Sequence, residues 1–127
     1  MSTWRHSILE QFPEFGHAPE SWELVDAGME LASLLERSAR EGDRTVGARV
    51  LKFVLWVEGQ SKNDERFVHL CQTILRRTLA SPSLRSFFAS LLNGRTFAQI
   101  AGYVEYATSR KVLTEMEEEV RLNRRGG

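Results

Sequence analysis

Apolar residues recur at spacings of three and four along almost the whole chain, and this limits the fold more than any other feature. Leu24, Val25, Gly28, Leu31, Ala32 and Leu35 form one such stripe. Val46, Val50, Phe53, Val54 and Val57 form a second; Phe67, Leu70, Cys71, Ile74 and Leu75 form a third. That period puts each set on one face of a helix, and the faces must cover one another. VLKFVLWV, Val50 to Val57, also reads as a strand because of its β-branched and aromatic content. No second run of that kind exists to pair with it, so the helical reading is preferred.

Punctuation divides the stripes into elements. Trp4, Ile8 and Phe12 lie four apart and predict a short first helix that Pro13 stops. PEFGHAP, Pro13 to Pro19, reads as a loop. The second helix is expected from about Glu20 to Glu41, with Glu20, Glu23 and Asp26 in its first turns and Gly42 after its end. The third, capped by Asp43 or Thr45 and closed by Gly59, carries apolar groups on several faces and is expected at the centre. Ser61 with Asp64 and Glu65 opens the fourth, and Ser81-Pro82 opens the fifth as N-cap and first-turn proline. Asn93-Gly94 reads as the stop of the fifth helix, and Thr96 with Gln99 as the capping box of a sixth. After Ala107 the stripe changes phase, so either the chain breaks near Thr108-Ser109 or one long helix changes neighbours.

The expected fold is all-α: a compact single-domain bundle of five to six helices over residues 1–127, with 1–2 and 122–127 frayed. A chain of 127 residues with 42% hydrophobic and 27% charged residues can bury a core without staples. Its one cysteine, Cys71, excludes an internal disulfide and fits a reducing compartment. The N-terminus carries no signal-peptide pattern, and the longest apolar run, Phe53 to Val57, is far below a membrane span. A cytoplasmic protein without a membrane contact is expected.

Few residues carry recognisable chemistry. His69 and Cys71 are two apart, which on a helix turns them to different faces, so neither a metal pair nor a nucleophile–base pair forms locally. GQSKNDE, Gly59 to Glu65, lacks the second glycine of a phosphate loop. No other catalytic motif is present, and neither enzymatic activity, a metal nor a cofactor is expected. RTFAQIAGYVEYATSRKV, Arg95 to Val112, resembles the opening of a helix-turn-helix, but Glu105 stands where a turn glycine belongs. Lys plus Arg equals 17 and Asp plus Glu equals 17, so the chain lacks the basic excess of a dedicated nucleic-acid binder.

ILEQFPEF, KFVLWVEG and FVHLCQTIL, in that order over the first two-thirds of the chain, resemble small helical bacterial proteins, some of which accompany toxins as immunity proteins. The resemblance implies a helical fold and an inhibitory role, and it transfers no binding residue. The expected function is a non-catalytic inhibitor that occludes a basic protein partner, such as a nuclease toxin, with an acidic and aromatic face. The candidate contacts are Glu20, Trp22, Glu23 and Asp26, then Glu115, Glu117, Glu118 and Glu119. One alternative is a nucleic-acid binder using residues 95–113, with Arg95, Arg110, Lys111, Arg121, Arg124 and Arg125 on phosphates. Another is a homo-oligomeric structural subunit.

Overall fold

A computed structural model describes residues 3–62 and 64–126, with the side chains of Thr3 and 124–126 outside that description. The expected fraying at residues 1–2 and 127 lies outside the described residues. Among the described residues seven α-helices follow one another: α1 (Thr3–Gln11), α2 (Leu24–Glu41), α3 (Arg44–Gln60), α4 (Glu65–Thr78), α5 (Pro82–Ser90), α6 (Gly94–Ala107) and α7 (Arg110–Gly126). Two 3-10 turns, Pro13–Phe15 and Ala18–Ser21, join α1 to α2. The protein is all-helical, with no strand among the described residues, and VLKFVLWV lies within α3.

The count exceeds the expected five to six because the phase change after Ala107 is a true break. Thr108 closes α6, its amide donating to Val104 O, and Ser109 accepts from Val112 N to start α7. Gly94 and Phe97 at the start of α6 share a cleft with Glu117 and Val120 of α7, so the two helices form an antiparallel hairpin. The residues from Leu122, expected to fray, continue α7 as helix to Gly126.

Several caps follow the residue chemistry. Gly42 takes the left-handed conformation (φ 68°) that ends α2, while Asp43, Asp64 and Ser81 cap α3, α4 and α5. Three boundaries differ from expectation. Ser61, expected to open α4, is the C-cap of α3, its amide donating to Val57 O and Glu58 O, and Asp64 takes the N-cap of α4. α2 begins at Leu24, so Glu20 lies in a 3-10 turn and Glu23 is the N-cap. Asn93 does not stop α5, which ends at Ser90; it caps α6. Its side chain accepts from Thr96 N, and Thr96 Oγ1 accepts from Asn93 N, both at 2.9 Å. Two overlapping capping patterns competed here, and asparagine is the stronger cap. Gln99, thereby released, donates to Leu55 O and Glu58 Oε2 on α3.

The centre of the bundle is α4 rather than α3. α4 packs most extensively on α2 and also on α3, α5 and α6; α3 packs on α2, α4 and α6, seats the N-terminal segment and meets α5 more slightly, at Gly47 against Phe87 and at Arg44 on Ser90. Seven of the 14 residues of α4 are buried, against six of 17 in α3. The reason is that Leu55 and Trp56 on the off-stripe faces of α3 are only half-buried. The closest approach of α2 and α4 needs Gly28: a Cβ there would stand 3.0 Å from Thr73 Cγ2 and 3.2 Å from Leu70 Cδ1. Gly28→Val is therefore expected to push the two helices apart and to cost about 1–3 kcal/mol. A lower urea midpoint with an unchanged denaturant slope would show it.

The N-terminal segment is held on α3. Trp4, Ile8 and Phe12 are buried, and the Phe12 ring meets Phe53 edge-on at 6.1 Å. Arg49 donates to Gln11 O and pairs with Glu14 at 2.5 Å. Hydrogen bonding to the Arg49 guanidinium holds the Glu14 carboxyl below its usual pKa.

Candidate functional site

The candidate contacts expected on α2 fall into two environments. Trp22 is half-buried: its ring packs on Phe15 at 5.1 Å, and its carbonyl accepts from Arg5 Nε at 3.0 Å. Part of its surface is thus used to seat the N-terminal segment. Glu20 is exposed, with Oε1 3.4 Å from His17 Nδ1. Glu23 and Asp26 are exposed at the start of α2, where Asp26 Oδ2 accepts from Glu23 N at 2.9 Å. Negative charge is favourable at that end of the helix dipole.

Beside these carboxylates, Val25 is 59% exposed and Met29 49% exposed. They are one helical turn apart and so share a face. Val25 also lines a shallow groove of about 260 Å³ between α2 and α4, with Leu24, Leu70 and Thr73 as its apolar floor and Arg66 and His69 at its edge. An exposed valine–methionine pair beside an apolar groove gained no weight in the sequence, because Val25 read as a member of the buried stripe of α2 and Met29 falls outside that stripe. In the fold Val25 and Met29 lie at the margin of the buried face, whereas Gly28 lies under Leu70 and Thr73 of α4.

The second acidic group is elsewhere. Glu115, Glu117 and Glu118 are exposed on α7, Glu119 is half-buried, and Glu118 pairs with Arg121. α7 packs on α5 and α6, while α2 packs on α3, α4 and, slightly, α5, so the fold puts the two groups in different neighbourhoods. The α6–α7 turn lies at Thr108-Ser109, and α6 runs unbroken past Glu105. Arg110 pairs with Glu105 at 3.6 Å. Two of the candidate phosphate contacts, Arg110 and Arg121, thus face carboxylates, Arg95 and Lys111 are exposed, and the side chains of Arg124 and Arg125 lie outside those described.

A larger cleft is on the other side of α4. It holds about 600 Å³ between α4 and α6 and is lined by Gln72, Arg76, Gly102, Tyr103 and Tyr106, with His69 and Thr73 on the ridge it shares with the α2 groove. Tyr103 is held by its hydroxyl, which donates to Ser61 Oγ at 2.8 Å. Tyr106 is 71% exposed. Cys71, two residues from His69, points inward and is fully buried, as the helical spacing requires. No three His, Cys, Asp or Glu side chains converge on a metal-sized site among the described residues. No described helix is long and apolar enough to cross a membrane. Compared with protein-family models, curated proteins and solved structures, the chain matches none.

Proposed function

We propose that this protein is a non-catalytic protein-binding module, an inhibitor of the immunity type that acts by covering its partner. The supporting observation is the exposed Val25–Met29 pair beside the α2–α4 groove, whose edge carries Arg66 and His69, with the exposed carboxylates of Glu23 and Asp26 at the start of the same helix. An apolar centre with a charged rim is the anatomy of a protein interface. Methionine adapts its shape to a partner, and the carboxylates at the start of α2 favour a basic one, as a nuclease toxin would be. Glu20 and Trp22 border this face, and Glu115 with Glu117–Glu119 on α7 offers a separate acidic surface for the same partner or another part of it.

The test is capture of partners from the host by the tagged protein, with mass spectrometry as readout. One stoichiometric, basic protein is expected with the natural sequence. The double variant Val25→Glu/Met29→Glu is expected to weaken its binding by about a hundredfold, as loss of two anchors of ~1–2 kcal/mol each would. Glu23→Gln/Asp26→Asn keeps a capping side chain and is expected mainly to slow association and reduce its salt dependence. Retention of the partner by both variants would overturn the choice of face. Self-association as the sole interaction, seen by light scattering, would replace the inhibitor with the homo-oligomer.

A further inference from the structure

We propose that the cleft between α4 and α6 binds a small, flat organic anion: an aromatic ring bearing a carboxylate, sulfonate or phosphate. Its volume of about 600 Å³ falls within the common range for small-molecule sites. Four features of the lining point to this ligand chemistry, and they are independent of the α2 face.

The first is an uncompensated cation. α4 carries three arginines; Arg66 pairs with Asp64 and Arg77 with Glu36, but Arg76 has no ion pair among the described residues. Of the carboxylates on the adjoining helices, Glu105 pairs with Arg110, and Glu58 accepts from Gln99, itself a cleft-lining residue. The Arg76 guanidinium stands 5.9 Å from the Tyr106 ring centroid, within the cleft lining. A guanidinium recognises planar oxyanions through two parallel hydrogen bonds.

The second is an aromatic wall. Tyr103 and Tyr106 are three residues apart on α6, so their rings share one side, and Tyr106 keeps most of its ring in water. The third is Gln72, only 7% exposed, whose Oε1 is buried without a hydrogen-bond partner. Such groups are rare, and an N–H or O–H of a ligand would satisfy this one. The fourth is Gly102, in the interior of α6, where a Cβ would meet nothing within 4 Å. Glycine weakens a helix interior, and no close packing accounts for it here. Its effect is to leave the cleft open. In the bound state the ring would lie against Tyr103 and Tyr106 and the acid group on Arg76, and a turn of the Gln72 amide would bring Oε1 out to a ligand donor.

The probe is 8-anilinonaphthalene-1-sulfonate, a flat aromatic anion of suitable size, followed by its fluorescence. One saturable site is expected on the folded protein. Arg76→Gln should weaken binding about tenfold, the loss of one charge-assisted contact. The uncharged N-phenyl-1-naphthylamine should bind more weakly by a similar factor. Gly102→Leu should abolish binding while the melting temperature holds or rises, and Gly102→Ala should reduce it in part. Ala98→Leu, in the separate α6–α7 cleft, should leave it unchanged. The proposal is overturned if the natural protein does not bind, if neither Gly102 variant alters binding, or if the neutral analogue and Arg76→Gln match the parent pair.

Discussion

Phe53→Ala is expected to remove about 3–5 kcal/mol of unfolding free energy, the cost of deleting a large ring from a packed interior. Phe53 is fully buried on α3, and its ring meets Phe12 of the N-terminal segment at 6.1 Å and Trp56 at 5.6 Å. Trp56 in turn lies edge-on to Phe67 of α4 at 5.7 Å. One truncation thus opens a cavity where the N-terminal segment, α3 and α4 meet. A domain of ordinary stability has only ~5–15 kcal/mol to lose. Urea unfolding followed by tryptophan fluorescence would measure the change, because Trp56 reports directly on this junction. A loss of under about 1 kcal/mol would mean that the three elements do not share the core described here.

The second large effect concerns Cys71. Burial, and to a smaller extent the charge of Glu58, pushes its thiol from 9.0 up to about 12. The thiolate is the reactive form, so at pH 8 a thiol reagent should modify the native protein about a thousandfold more slowly than the unfolded chain. The same shift gives a stability signature. Between pH 9 and about 12 the unfolded chain has released the Cys71 proton while the native protein keeps it. Stability is therefore unaffected by this group below the lower value and falls through the interval as pH rises, by up to ~1.4 kcal/mol per unit. Titration with an aromatic disulfide reagent, with and without denaturant, checks the first statement. Native reactivity within about tenfold of the unfolded chain would show that the thiol is reached by solvent. Comparing the alkaline stability slope with that of Cys71→Ala isolates the second.

Periodicity and caps were readable because they are local. The stripes of α2, α3 and α4, the left-handed Gly42, and the caps Asp43 and Ser81 depend only on residues within a turn or two of one another. Where two local patterns overlapped, as at Asn93-Thr96 and Thr96-Gln99, the sequence held both and the stronger cap prevailed. The start of α2 was misplaced for a related reason. Pro19 and Glu20 suit a first helical turn, but the segment forms a 3-10 turn with Pro19 buried, and the chain is extended at Trp22 and Glu23 before α2 begins.

The candidate surface was less readable than the fold. Glu23 and Asp26 lie on a face that also exposes Val25 and Met29, but a stripe does not say which of its members a neighbour covers. The cleft between α4 and α6 left no motif at all. Gln72, Arg76, Gly102, Tyr103 and Tyr106 come from two helices separated in sequence, and they share a cleft only through the packing of α4 on α6.

By itself, then, the sequence determined the helical class, most helix ends and the inward face of each helix, because hydrophobic period and capping are short-range. The tertiary structure alone decided that α4 is the hub, that α6 and α7 fold back as a hairpin, and that two grooves flank the exposed ridge of α4. Those outcomes depend on which stripe covers which, and that choice is made by the fit of side chains between helices, at places such as Gly28 against Thr73.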